Sequence, residues 1–383
     1  MCGEFAMPFS LKLEKRLEES KIIAFLVPVG SLLLALAFGA VLLQMVGANP
    51  WRTYSAMVEG AFGTPAQWAQ GDFYALTETL VKATPLMICG LAVSIAFRML
   101  FWNIGAEGQL VMGGFAAGAV ALWLPDMAPW LPHWIFLPLM ALAGIVAGAA
   151  WGIIPGLLKA YVKVNEIITT LMLNYIAILW LQHLYYGPWK DPKGFGFPGT
   201  AQFASFTWLP RLFGRVHLGL VFAILAAILI WLVLSRTRWG YEIRLIGENP
   251  VAARYAGINI ARNIVLVMFL SGGLAGLAGM AEVAGISHRL QHGLAVGYGF
   301  TAIIVAWLAR LNPWGVVLVA FLLAALLVGG DQIQITMGLP AAMASVLQGA
   351  ILFCMLGGNI LTRYRVRIVR SLPAKAVQAV QEG

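Results

Sequence analysis

The sequence predicts an all-α polytopic membrane protein, and three observations carry this. Of 383 residues, 61% are hydrophobic and only 11% are charged, whereas soluble domains carry roughly 25% charged residues; mean hydropathy is +0.84. Several apolar stretches reach the roughly 20 residues that a helix needs to cross hydrocarbon. The residue-by-residue alternation of a membrane barrel is absent.

Taken in order, residues 1–6 before Met7 are set aside as a candidate expression scar, within a cytoplasmic N-terminal segment 1–21. There Lys12, Lys15, Arg16 and Lys21 accompany Leu13 and Leu17, four apart. That pattern fits a short helix on the membrane surface or a solvated charged helix. The transmembrane domain is 22–361, and its first span is about 22–46. A loop at about 47–73 holds Trp51, Pro65 and Trp68, and a second span at about 74–97 ends at Arg98. A glycine-rich segment follows at about 103–124, and Pro125, Pro129 and Pro132 then break the chain. The next spans are about 134–158, closed by Lys159 and Lys163, and about 165–185, opened by Asn165-Glu166. A polar Gly- and Pro-containing loop covers about 187–216, and a span of about 217–235 leads into the most basic internal loop, 236–262. Apolar segments at about 263–285, 296–309, 313–329 and 341–361 complete ten, before a basic tail at 362–383.

The net charge of +9 reads as membrane orientation, not nucleic-acid binding. With the N-terminus in the cytoplasm, Arg98, Lys159/Lys163, loop 236–262, Arg310 and the C-terminal arginines all fall inside, as the positive-inside rule asks. Segments 125–134 and 330–340 lack Lys and Arg and fall outside; only loop 187–216 is an exception. Ten crossings with both termini cytoplasmic are expected. Cys2, Cys89 and Cys354 have no paired spacing and read as small hydrophobes.

Two pseudo-repeats are visible, each with a short glycine-interrupted segment: Gly105 to Gly118, and Gly293 to Phe300. Such paired, broken or re-entrant segments point to a transport site, although glycine also serves helix packing. The stripe Gly272, Gly276 and Gly279 reads as packing. Glu107 and Gln109, at the start of the first segment, either line a pathway or lock helix ends. Glu166, Thr169, Thr170 and Asn174 fall on one helical face and either face a cavity or bond a neighbouring helix. His288 and His292 would share a helical face, but no third metal ligand is evident nearby; His217 closes the exposed loop 187–216. There is no Walker-type loop, HExxH or GxSxG, so neither an ATPase nor a catalytic cluster is read here. In loop 236–262, Asn249 is a cap, Pro250 a first-turn proline and Gly257 a stop, which predicts a short helix of about 250–256.

These residues resemble a known family. Thr84-Pro85-Leu86, Asn103-Ile104-Gly105-Ala106-Glu107-Gly108-Gln109, the run Asn165–Tyr175, the run Gly247–Gly257, Ser271–Gly279, Gly297-Tyr298-Gly299-Phe300 and Gln348-Gly349 occur in order over about 75–360. They resemble the permease subunits of bacterial ABC importers of the branched-chain amino acid and simple sugar class, closest to the guanosine/uridine-type nucleoside branch. The resemblance implies a permease without its own ATPase site or cofactor, in the bacterial inner membrane. It implies a second, different permease chain, a cytoplasmic ABC ATPase that binds ATP and Mg, and an extracytoplasmic substrate-binding lipoprotein. Residues Glu248, Asn249, Pro250, Ala252, Ala253, Arg254 and Gly257 then form the ATPase-coupling segment. A nucleoside would need amide and aromatic partners, and Asn103, Gln109, Asn174, Tyr175 and Phe300 supply them beside Glu107. After Gly-Tyr-Gly-Phe, where the family has small residues, this chain has Thr301, Trp307 and Arg310, and Trp307 changes the volume of any pathway this segment lines. Sugars or branched-chain amino acids are the alternative cargo, and a stand-alone secondary transporter or channel is the alternative machine.

Overall fold

The computed structural model describes residues 9–15, 21–194, 196–340 and 342–370. The candidate scar, residues 16–20 and the tail beyond 370 lie outside the described residues. The helices are α1 (Lys21–Met45), α2 (Pro50–Phe62), α3 (Pro65–Ala69), α4 (Tyr74–Arg98), α5 (Ala106–Met127), α6 (Phe136–Leu157), α7 (Glu166–Tyr186), α8 (Gly219–Arg236), α9 (Arg238–Glu248), α10 (Pro250–Tyr255), α11 (Ile260–Glu282), α12 (Tyr298–Leu308), α13 (Pro313–Met337) and α14 (Ala342–Arg363). Four short strands, β1 (Phe9–Lys15), β2 (Arg211–Phe213), β3 (Val216–His217) and β4 (Tyr364–Arg370), form two antiparallel pairs, β1 with β4 and β2 with β3. Among the described residues, seven helices are long and apolar enough to cross a membrane alone, or up to eight if one bent pair counts as a single span. The protein is a multi-pass helical membrane protein.

The chain divides into two units, residues 1–53 with 342–383, and residues 54–341. In the first, α1 packs on α14. In the second, α4 is the axis. Its side chains are buried almost without break from Thr77 to Phe97, because α8, α11, α12 and α13 surround it. A helix apolar on every face is stable only in such surroundings or in lipid. By contrast, α7 buries a single stripe of Glu166, Thr170, Asn174, Ala177, Leu181 and Leu184, mostly against α5.

Helices α5, α6 and α11 cross at backbone contact. A Cβ on Gly148 would collide with the Gly272 carbonyl, one on Gly276 with the Gly144 carbonyl, and one on Gly113 with Gly276. The predicted packing stripe on α11 is the axis of this crossing, where small residues let van der Waals contact replace the hydrophobic driving force that lipid removes. Gly276→Val is therefore expected to destabilise the purified protein by at least about 1–3 kcal/mol, the usual cost of overpacking. Gly349 on α14 has open space at its Cβ position, so Gly349→Ala should leave the melting temperature unchanged or slightly raised. Thermal unfolding in detergent compares the two.

Five expectations need correction. The N-terminal segment is not helical at Phe9–Lys15; it pairs as β1 with β4, in the register Lys12↔Arg367. The loop 47–73 contains α2 and α3: Asn49 accepts from the Trp51 and Arg52 amides, and Thr64 with Gln67 forms a capping box. Loop 236–262 holds a second helix, α9, capped by Thr237. The segment 296–309 is the 11-residue α12, about 16 Å long and so about half of a ~30 Å hydrocarbon core. Finally, 330–337 is not a loop, because α13 continues to Met337.

Candidate functional site

The turn after α4 leads back into the protein interior. The Ser271 hydroxyl on α11 donates to the Ala92 carbonyl at 2.6 Å, and Asn103 Nδ2 donates to Ser271 Oγ at 2.9 Å. Asn103 therefore lies level with Ala92, six residues and about 9 Å before the end of α4. Asn103 and Gln109 exchange two amide hydrogen bonds of 3.0 and 3.1 Å, and Asn103 Oδ1 also accepts from the Gly105 amide. All three groups are buried. Irregular backbone at this depth is tolerated only where protein surrounds it and satisfies it.

α5 thus begins inside the protein, with Gly105 at its N-cap and no side chain to cap it. Asn174 on α7 does so instead. Its Oδ1 accepts from the Gly108 amide and its Nδ2 donates to the Ile104 carbonyl, both at 2.8 Å. Ala or Ser at 108 is excluded, because a Cβ there would press on the Asn174 backbone.

α12 also begins inside the protein. From His288 the chain runs back along α5, with Leu290 over Gly118 and Leu294 over Gly114. The loop 187–216 covers this segment through Thr200 and Phe203, whose amides donate to the Leu290 and His288 carbonyls. At its end Gly297 takes φ +91°, a left-handed conformation that favours glycine. The first turn of α12 then abuts that of α5: a Cβ on Gly299 would strike the backbone of Glu107. The Glu107 carboxylate accepts from the Gly297 amide at 2.8 Å and from the Gly299 amide at 2.6 Å. Two helix N-termini meet here, each equivalent to roughly +0.5 charge. One buried carboxylate offsets both. The two glycine-broken segments of the sequence are thus brought together, with Glu107 between them.

Of the six predicted pathway residues, Asn103, Glu107, Gln109 and Asn174 are buried and bonded within the chain, and Tyr175 and Phe300 are exposed at 55% and 39%. The four buried groups fix the ends of broken helices; the two aromatic rings are free to meet something else. In the polar stripe of α7, Thr170 bonds the Glu166 carbonyl, and Glu166 pairs with Lys159 at 2.6 Å. Trp307, the departure from the family pattern, stacks on Trp102 and leans on Phe97; it fills the contact between α12 and α4. His217 is buried, not exposed, and its Nδ1 accepts from the Gly219 amide at 3.1 Å. Burial, with His288 nearby, pushes its pKa down to about 4. His288 has φ 50° and does not share a helical face with His292; the described residues contain no group of three metal-ligating side chains.

The second candidate region is the elbow of α9 and α10. Asn249 caps α10 through its side chain: Oδ1 accepts from the Val251 and Ala252 amides at 3.0 Å, with Pro250 in the first turn. Gly257 ends it at φ +76°. Ala253 is buried and Ala252 half-buried, while Glu248, Arg254, Val251 and Tyr255 are exposed. The elbow is tied inward by Trp239, which donates to Asn263 at 2.7 Å, and by Asn263, which donates to Glu242 at 3.1 Å. At Gly247 it presses on the Arg98 carbonyl, leaving no room for a Cβ. The Arg98 guanidinium in turn donates from Nε and from a terminal nitrogen to the Leu311 carbonyl, at 3.1 and 3.0 Å. The sequence marks Arg98 only as an orientation signal, because its partner is a backbone carbonyl. The ion pair of Lys82 with Asp331 also escapes a sequence reading; its signal is a lysine inside an apolar span.

The profile of the branched-chain amino acid transport system / permease component family matches residues 75–356. A glucose ABC transporter permease of Haloferax volcanii is 36% identical, covering 94% of this chain and 95% of its own length. A guanosine ABC transporter permease of Bacillus subtilis is 34% identical, covering 90% and 95%. A nucleoside ABC transporter permease of Lactococcus lactis is 30% identical, covering 86% and 89%. ATP hydrolysis in such transporters belongs to a partner, which removes the stand-alone transporter as a reading. A buried pair of glycine-broken helices and a capped surface elbow are thus parts of a translocation subunit, and the chain belongs to the permease family of branched-chain amino acid transport systems, as an ABC transporter permease.

Proposed function

We propose that this chain is one of two different permease subunits of an inner-membrane importer for nucleosides. In this reading it crosses the membrane ten times with both termini in the cytoplasm, the non-helical segment 289–297 and the short α12 together making one crossing. A cytoplasmic ABC ATPase, which binds ATP and Mg, docks on the elbow of α9 and α10, and an extracytoplasmic binding lipoprotein delivers the cargo. Closure of the ATPase pair moves the elbow, and the bundle alternates between outward- and inward-facing forms.

The observation that carries the choice of cargo is the meeting of α5 and α12. Transporters of carboxylate-bearing solutes aim helix N-termini at the carboxylate. Here the interior N-termini are occupied by the chain's own Glu107 and by Asn174, so neither offers a free positive end to an amino acid. A neutral, polyhydroxylated cargo fits better, and the names of the relatives, guanosine and nucleoside among them, support a nucleoside. A neutral sugar is the second reading, favoured by the glucose permease among the relatives. The test is uptake by the complete complex in proteoliposomes with radiolabelled guanosine, uridine, glucose and leucine. ATP-dependent nucleoside uptake that excess leucine does not inhibit is the expected result; uptake of leucine alone would overturn the reading.

A further inference from the structure

Lys82 is eight residues on from the first residue of α4 and Asp331 six residues before the last of α13, about 12 and 9 Å inside their helices at 1.5 Å per residue. Ionisable groups within spans are expensive and mark functional sites such as solute pathways by default. These two form an ion pair whose side chains keep 29% and 55% exposure. They are not sealed in the bundle; they form the wall of a cavity of about 220 Å³ between α2, the start of α4 and the end of α13. Close approach of α2 to α13 closes one side, since a Cβ on Gly60 would run into Gln332.

The lining has a definite chemistry. Glu78 is taken by Arg215 at 2.9 Å, and Asp72 accepts from the Tyr74 amide. Glu59, Lys82, Asp331 and Gln332 face the cavity beside the Tyr74 ring. Two carboxylates can each accept a pair of hydroxyl protons, an ammonium and an amide can donate to hydroxyl oxygens, and a ring face suits the apolar face of a sugar. The volume is below the ~300–1,000 Å³ of sites for drug-sized ligands, which suits one sugar ring and not a whole nucleoside. Carboxylates outnumber ammonium groups on this wall, so phosphorylated sugars and nucleotides meet repulsion.

We infer that this cavity is a sugar subsite of the translocation route, in which Glu59 and Asp331 accept the vicinal hydroxyls of a ribose or hexose ring and Lys82 holds Asp331 in place. The inference rests on the cargo reading above and locates the part of the chain that recognises the sugar. Nothing in the apolar groove between α6, α8 and α11, lined by Phe222, Phe269 and Leu277, could serve a hydroxylated ring.

The test uses the complete complex in proteoliposomes with saturating binding protein. Uptake of a nucleoside is compared with that of its 2′,3′-dideoxy analogue, in the natural protein, Asp331→Asn and Glu59→Gln. The binding protein is common to all arms, so its own preference cancels when each variant's ratio is divided by the natural ratio. Hydrogen bonds to charged groups contribute about 1.5–3 kcal/mol, so the preference for the diol should fall roughly 10- to 100-fold in each variant, with dideoxy uptake nearly unchanged. Glu59→Gln leaves the ion pair intact and stands as the test if Asp331→Asn fails to assemble. Equal loss for both nucleosides, or no change in either variant, overturns the subsite while leaving nucleoside transport in place. A natural complex that carries neither nucleosides nor sugars overturns the cargo reading itself, and the subsite with it.

Discussion

Glu107→Ala is expected to abolish uptake and to lower the melting temperature of the permease. The substitution removes the acceptor of two buried backbone amides, Gly297 and Gly299. An unsatisfied buried donor costs about 1–3 kcal/mol, so two give about 2–6 kcal/mol. A second loss adds to this. Without the carboxylate, two helix N-termini face each other in a low-dielectric interior with nothing between them. Glu107→Gln should be intermediate, because the amide keeps one acceptor and turns a donor toward a donor. Glu107→Asp tests reach: the shorter side chain keeps the charge and misplaces it. Uptake and thermal unfolding on the same preparations check the series, with the order natural, Gln and Asp, then Ala. Full uptake in Glu107→Ala would show that the junction of α5 and α12 is held by packing around Gly299 alone.

Much of this architecture is legible in the residue string, and the exceptions have physical causes. The spans of α4, α5, α7 and α8 fall within a few residues of expectation, because length and apolarity decide them. Asn249-Pro250 foretells α10, because a cap and a first-turn proline are local signals. Thr64-Pro65-Ala66-Gln67 carries an equally local signal, yet the turn residues around it dominate and hide α3. Gly329-Gly330-Asp331 reads as a break that would end α13 early. In the structure a Cβ on Gly329 would strike the Met57 backbone: glycine is there for the neighbouring α2, a demand no local rule contains. The same holds at the site. Residue type marks Asn103, Glu107, Gln109 and Asn174 as important, but whether they face a cavity or each other depends on which helices meet. Glu107 and Gly297 are 190 residues apart, and sequence spacing is silent at that range.

Arg98→Ala is expected to separate ATP hydrolysis from transport. Arg98 stands between the elbow and the broken helix: its carbonyl is pressed by Gly247 of α9 and its guanidinium holds the Leu311 carbonyl just beyond α12. Arg310 and Leu311 have φ 50° and 58°, left-handed values that cost L-residues roughly 1–2 kcal/mol each. That turn persists because Asn312 caps α13 by accepting from the Trp314 and Gly315 amides and because Arg98 holds the turned-out carbonyl. At its other end α12 is held by Glu107. In the proposed mechanism a push on the elbow would reach the α5–α12 junction through α12, one helix about 16 Å long. Spatial continuity alone does not establish coupling, so the measurement must be energetic. In the reconstituted complex, Arg98→Ala should retain ATP hydrolysis within about threefold while uptake per ATP falls roughly 10- to 100-fold, the worth of one or two charge-assisted hydrogen bonds. Arg98→Lys keeps the charge but not the two-pronged grip on the Leu311 carbonyl and should recover part of it, and Gly247→Ala, which pushes α9 off the Arg98 carbonyl, should add little to Arg98→Ala. Hydrolysis and uptake that fall in proportion, or losses that simply add between the two sites, would place Arg98 in assembly instead of transmission.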